Sequence, residues 1–139
     1  MARVAFTDEA KADLRALIAE DEQAAREGLR IAKQLESNPY LGEQLREKSN
    51  LKPLAQADCR KVKLDRPNRR ATAKPRYRYR LVYRIEPHDG SPETVVIMAL
   101  GVKPRIYREA TTRAAKRMRE QAVARRREQR VETVRRREP

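Results

Sequence analysis

The chain opens with a short alternation, Arg3 to Phe6, that predicts a strand. Thr7 follows as a helix N-cap, with Asp8 and Glu9 in the first turn, where the helix dipole favours acids. Ala10, Leu14, Leu17 and Ile18 then recur at helical spacing. A second helix is predicted from about Asp21 to Glu36, with Ala25, Leu29, Ala32 and Leu35 as its buried stripe and Ile31 beside it. Gly28 is expected to let these two helices approach closely. Asn38-Pro39 ends the segment, because proline pushes the preceding residue out of the helical region. Residues 40–57 look like a connector with an amphipathic turn around Leu41 and Leu45.

Three strands come next. In Arg60–Asp65, Val62 and Leu64 point one way, and Lys61 and Lys63 the other. In Arg76–Ile85, Tyr79, Leu81, Tyr83 and Ile85 share one face, and Arg76, Arg78, Arg80, Val82 and Arg84 the opposite one. A polar hairpin loop, residues 66–75, is expected between them, and Pro87-His88-Asp89-Gly90 reads as the following turn. Thr94–Leu100 is a continuous, β-branched apolar run, as in a strand buried on both faces. Beyond Gly101, the positions Ile106, Ala110, Ala114 and Met118 suggest a helix whose thin apolar stripe docks weakly. An Arg-rich tail follows, either a solvated helix or a disordered arm. The predicted class is α+β: a small antiparallel-meander sheet packed by two N-terminal helices, with a C-terminal helix and basic tail. The expected division is a domain over 1–113 and a helix or tail over 114–139.

Charge sharpens this picture. The net charge is +14, but it is uneven. Residues 60–84 hold eleven basic side chains against one acid, Asp65, and residues 119–139 hold eight arginines. Such density on a sheet calls for an anionic partner, and a phosphate backbone is the natural one. Cys59 is the only cysteine, so no intrachain disulfide forms, and a cytoplasmic setting is expected. Without His or a second Cys nearby, it reads as a small buried residue. His88 reads as an exposed loop residue. No acidic cluster within 59–107 is suited to a divalent metal, so no cofactor is expected, and no apolar run reaches the roughly 20 residues of a membrane span.

Lys61, Lys63, Arg80, Arg105 and Tyr107 form the candidate catalytic group, with Arg60, Arg76, Arg78, Arg84 and Lys103 as RNA-binding neighbours. Two lysines at i and i+2 lie on one strand face, and the adjacent strand can set Arg80 beside them. Attack of a 2′-hydroxyl on phosphate needs a base, charge stabilisation and an acid. A lysine crowded by cations is a credible base, and arginine stabilises phosphoryl charge. A Lys/Arg stripe is equally compatible with simple nucleic-acid binding, or with a solvated or protein-facing surface.

The element order, with VAFTDEAKADLRAL, DCRKVKL, YRLVYRI and VVIMALGVKPRIYREA, resembles the RelE/ParE superfamily of bacterial type II toxin–antitoxin toxins over residues 2–113. RelE-type members are similar in carrying a CxKxKL strand, a YRLVY strand and a basic residue followed by tyrosine near the C-terminus. The resemblance implies a ribosome-dependent, metal-free mRNA endonuclease whose partners are a cognate antitoxin, the ribosome and mRNA. It also implies a toxin–antitoxin hetero-oligomer in the bacterial cytoplasm, with no membrane role. The family's site carries over to Lys61, Lys63, Arg80, Arg105 and Tyr107. The alternative is a ParE-like DNA gyrase inhibitor or a non-catalytic relative. The segment Gly101–Tyr107 is shorter than the RelE pattern, so Lys103 is an alternative to Arg105. The antitoxin is expected to cover part of the basic sheet or displace the terminal helix, and the tail to add electrostatic affinity for ribosomal RNA.

Overall fold

A computed structural model describes residues 2–45, 59–64, 79–88, 91–102 and 105–137. The elements in chain order are β1 (Arg3–Phe6), α1 (Asp8–Glu20), α2 (Glu22–Ser37), β2 (Glu43–Gln44), β3 (Cys59–Lys63), β4 (Tyr79–His88), β5 (Ser91–Val102) and α3 (Arg105–Arg137). The loop expected over 66–75, and Arg76, Arg78 and Lys103, lie outside the described residues.

The helices begin where side-chain caps satisfy their free amides. The Thr7 hydroxyl accepts from the Ala10 amide at 3.1 Å, and the Asp21 carboxylate from the Ala24 amide at 3.1 Å. The strands form one sheet in the order β1-β5-β4-β3-β2. β3, β4 and β5 make the expected antiparallel meander. β1 adds to the far edge parallel to β5, with Ala5 opposite Val96. The connector expected over 40–57 contributes a short strand instead: Glu43 pairs with Lys61 and Gln44 with Arg60. β4 runs on through His88, which pairs with Ser91, so strand occupies positions where a turn was expected.

Two cores lie on the two faces of the sheet. The first joins Ala10, Leu17, Ala25, Ile31, Ala32 and Leu35 of α1 and α2 to Leu64, Leu81, Tyr83, Val95, Ile97 and Leu100. The second joins Val82, Val96, Met98 and Ala99 to Ile106, Tyr107, Ala110 and Ala114 of α3. β5 is therefore covered on both sides, and Val95 through Leu100 are all buried. A bulge where Val82 faces Ala99 and Tyr83 faces Ile97 leaves Met98 unpaired in register, so Met98 and Ala99 both reach the second core.

Three sequence expectations change. Ile18 and Leu29 are about half exposed, not part of the buried stripes. Each sits at the rim of its helix's apolar arc, where among the described residues no third element covers the two-helix layer. Gly28 serves helix-to-sheet packing rather than helix-to-helix packing, because a Cβ there would stand 3.0 Å from Leu100 Cδ2 and 3.8 Å from Leu64 Cδ1. Met118 is 40% exposed, so the buried stripe of α3 ends at Ala114. Among the described residues, no helix is long and apolar enough to cross a membrane.

α3 is a single unbroken helix of 33 residues, about 50 Å long at 1.5 Å per residue. It passes through position 113, where a domain boundary was expected, without a break. Polar clamps hold its first half. Arg113 donates to Asp13, to Glu109 and to the Met98 carbonyl. Arg117 and Gln121 donate to the Glu86 carboxylate, and Arg84 donates to Gln121 at 3.0 Å.

Burial pushes the Glu86 carboxyl up, but its hydrogen bond and charge contact with Arg117, helped by Arg84 and Gln121, pull it below the usual glutamate range. A carboxylate stabilised in this way supports the fold fully above the unfolded-chain value. That support is lost as pH falls through the folded-state value. Acid should therefore loosen α3, and Glu86→Gln should flatten the part of the acid limb of a melting-temperature profile that begins near the reference glutamate value, about pH 4.3, and runs below it. An unchanged acid limb in that variant would assign the sensitivity to other carboxylates.

Candidate active site

Strand register places the basic residues. Lys61 pairs with Val82, and Lys63 with Arg80, so all four share one sheet face. Val82 belongs to the core beneath α3, which identifies this face as the one the C-terminal helix covers. The basic face is therefore not open over its whole length. Arg80 is 4% exposed and Tyr107 6% exposed, whereas Lys61 is half-buried and Lys63 exposed.

Arg80 also pairs with Gly101 across the sheet. α3 starts directly over that point: a Cβ on Gly101 would stand 3.2 Å from Ile106 Cδ1 and 3.4 Å from the Arg105 guanidinium. One helical turn thus brings Arg105 and Tyr107 to the end of the sheet that carries Arg80. Arg80 Nη1 donates to the Tyr79 carbonyl at 2.9 Å, which fixes the guanidinium in place. Burial raises the Tyr107 hydroxyl above the ordinary tyrosine value; the neighbouring Arg80 charge and contact oppose this, and Glu43 adds to it. The Tyr107 phenol is consequently neutral at physiological pH, a proton donor. Its oxygen is fully enclosed, with the Arg80 guanidinium as its polar neighbour.

Glu43 is the residue that sequence reading missed. Its carboxylate lies 3.9 Å from Lys61 Nζ, is well exposed, and acts electrostatically on Tyr107. The signal was weak because Glu43 sits in a two-residue strand that no periodicity announces. With it, the local field at Lys61 contains an acid as well as cations. Lys61, Glu43, Arg80, Arg105 and Tyr107 come from β3, β2, β4 and the first turn of α3. They meet at one end of the sheet, Lys63 lies on the same face, and Arg105 also reaches Glu109 at 3.9 Å.

Gly42 makes the placement of Glu43 possible. Its amide donates to the Tyr83 hydroxyl at 2.9 Å, and that hydroxyl donates to the Pro39 carbonyl at 2.7 Å. A Cβ at Gly42 would stand 2.8 Å from the Lys61 carbonyl oxygen, closer than backbone allows. The chain can thus lie flat against β3 only with glycine here.

The two expected RNA-binding arginines among the described residues, Arg60 and Arg84, have internal partners. Arg60 donates to the Gly42 carbonyl at 2.9 Å and stacks 5.1 Å from the centroid of Tyr40. Arg84 is held by Gln121 and Glu86 beneath α3. Cys59 is buried, as expected for a packing residue. Among the described residues, no group of three or more His, Cys, Asp or Glu is arranged to hold a metal ion.

A YoeB/ParE toxin from Agrobacterium tumefaciens is 12% identical, with a TM-score of 0.48 over 72% of this chain and 97% of that one. No curated protein matches the sequence. The family model for the ParE toxin of the type II toxin–antitoxin system parDE matches residues 4–107, from β1 to the tyrosine at the start of α3. The chain belongs to the ParE toxin family of type II toxin–antitoxin systems, within the RelE/ParE superfamily.

Proposed function

We propose that this toxin cleaves messenger RNA on the ribosome by metal-free acid–base chemistry. The observation that carries the reading is the meeting of a carboxylate, an ammonium, a guanidinium and a neutral phenol at one sheet end: Glu43, Lys61, Arg80 and Tyr107. These are the parts that transesterification at phosphorus requires. Glu43, at the exposed rim, takes the proton of a 2′-hydroxyl, and the freed oxygen attacks the adjacent phosphorus. The bond from phosphorus to the 5′-oxygen breaks, and that oxygen takes the Tyr107 proton once the first turn of α3 moves enough to uncover the phenol, which is enclosed in this structure. The products are a 2′,3′-cyclic phosphate and a 5′-hydroxyl. Lys61, Lys63 and Arg105 hold the phosphate from the mouth, and Arg80 stabilises its charge from below. Membership of a type II toxin family implies a cognate antitoxin. An antitoxin that silences this chemistry would occupy the mouth or shift the start of α3.

One observation favours a second reading, a gyrase-directed toxin that cleaves nothing. Arg80 and Tyr107 are almost fully buried, which suits a structural cluster as well as a catalytic one. Primer extension on mRNA translated with the toxin distinguishes the two. New 5′ ends that form only on translating ribosomes, persist in EDTA-stripped toxin, and vanish with Glu43→Gln are the expected result. Absence of new ends, with supercoiling by purified gyrase blocked at the same toxin concentration, would establish the second reading.

A further inference from the structure

α3 continues well past the domain. From Ala122 to Arg136 every residue is exposed, a free helical rod about 22 Å long at 1.5 Å per residue. Its charges are sorted by face. Arg108, Arg119, Arg126 and Arg130, separated by 11, 7 and 4 residues, fall within about 40° of arc at 3.6 residues per turn, and all four are exposed. Ile106, Ala110 and Ala114, which dock on the sheet, lie on the opposite side of the helix, and Glu128 and Glu132 fall on that same opposite side. Arg127 flanks the file on one side, and Arg125 and Arg136 on the other. The free rod is thus basic over more than half its circumference, and on the remainder Arg135 stands beside Glu128 and Glu132, the latter paired with Arg136 at 2.9 Å.

We infer that the outer face of α3 is a docking surface for duplex DNA, with the free rod lying in the major groove. The rod's own dimensions select the partner. An α-helix with its side chains is about 10–12 Å across, and the B-form major groove is about 12 Å wide. The A-form RNA major groove is deep and narrow and closed to such a rod. A basic arc that wide lets Arg125 and Arg127 reach the phosphates of the two groove walls while Arg126 and Arg130 face the floor. A second copy of the chain is a poor occupant. The exposed valines Val123, Val131 and Val134 would be the seam, but Arg127 sits among them and would be buried against its own copy. This surface is separate from the Glu43–Tyr107 group and does not depend on what that group does.

The test is fluorescence anisotropy of the full-length protein with a labelled 20-base-pair DNA duplex, across a salt series. Binding of B-form DNA releases about 0.9 counterions per phosphate neutralised. Arg119→Gln/Arg126→Gln/Arg130→Gln should therefore lower the log–log salt slope by about 2–3 and weaken binding at least tenfold near physiological salt. Glutamine keeps the helix propensity, and circular dichroism of the variant checks this. A control with the same loss of charge on exposed positions of α1 and α2, Lys11→Gln/Arg15→Gln/Lys33→Gln, should retain most of the slope. Equal losses in the two triple variants would reduce the effect to net charge and overturn the proposal. Tighter binding to an A-form RNA duplex, to single-stranded RNA or to polyglutamate than to the DNA would also overturn it, by naming a different partner.

Discussion

Tyr107→Phe should reduce RNA cleavage by ~10²-fold or more while changing the melting temperature little. The two halves of that result come from the same atom. The Tyr107 hydroxyl is enclosed between sheet and helix, with the Arg80 guanidinium as its polar neighbour. One intramolecular hydrogen bond contributes only about 0.5–1.5 kcal/mol net, so removing the hydroxyl changes stability little. The ring remains, and with it the packing against Ile106, Ala110 and Val82 in the second core. What disappears is the proton donor that burial keeps neutral beside Arg80. Loss of activity without loss of stability is the signature of a group kept for chemistry. Cleavage is read by primer extension and stability by thermal melting. Full cleavage by Tyr107→Phe together with a lower melting temperature would make the hydroxyl structural and remove it from the mechanism.

Much of this arrangement could be read from the chain because several signals agree at once. Thr7 before two acids marks a helix start, and the structure confirms that cap by a hydrogen bond. Thr94 to Leu100 lacks alternation because both faces of β5 are covered, one by α1 and α2 and one by α3. Lys61, Lys63 and Arg80 share a face because the strand period is two and the β3–β4 register aligns them. What escaped the sequence is set by contacts distant in the chain. Glu43 belongs to a strand of two residues, defined only by pairing with β3. The parallel edge position of β1 depends on β5, nearly ninety residues later. Arg84 and Arg60 looked like open cations because their partners, Gln121 and Gly42, lie far away in sequence. The covering of the basic face was misjudged for a related reason. The apolar stripe of α3 is thin, but Arg113 and Arg117 supplement it with half-buried ion pairs to Asp13 and Glu86 that no periodicity count includes.

Those clamps lead to the largest expected effect on folding. A chain ending at residue 104 should fail to hold the native structure, whereas one ending at residue 121 should melt within a few degrees of the full-length protein. The first truncation uncovers Val82, Val96 and Met98, each now at most 3% exposed, and takes Arg113 from Asp13 and Arg117 from Glu86. Burial of a Val or Met side chain contributes about 1.5–3 kcal/mol, so three such residues account for roughly 5–9 kcal/mol. A domain of this size has a total stability of about 5–15 kcal/mol, and the loss is of the same order. The second truncation keeps Ile106, Ala110, Ala114, Arg113, Arg117 and Gln121. It removes only positions 122–139, whose described residues 122–136 are exposed. Far-ultraviolet circular dichroism with thermal melting reads both chains, after each is made with equal care to avoid aggregation. A cooperative transition near the full-length value for the chain ending at 104 would mean that α3 is a detachable arm. In that case the sheet's second face must be stable without its cover, and the sequence-based expectation of weak docking would stand.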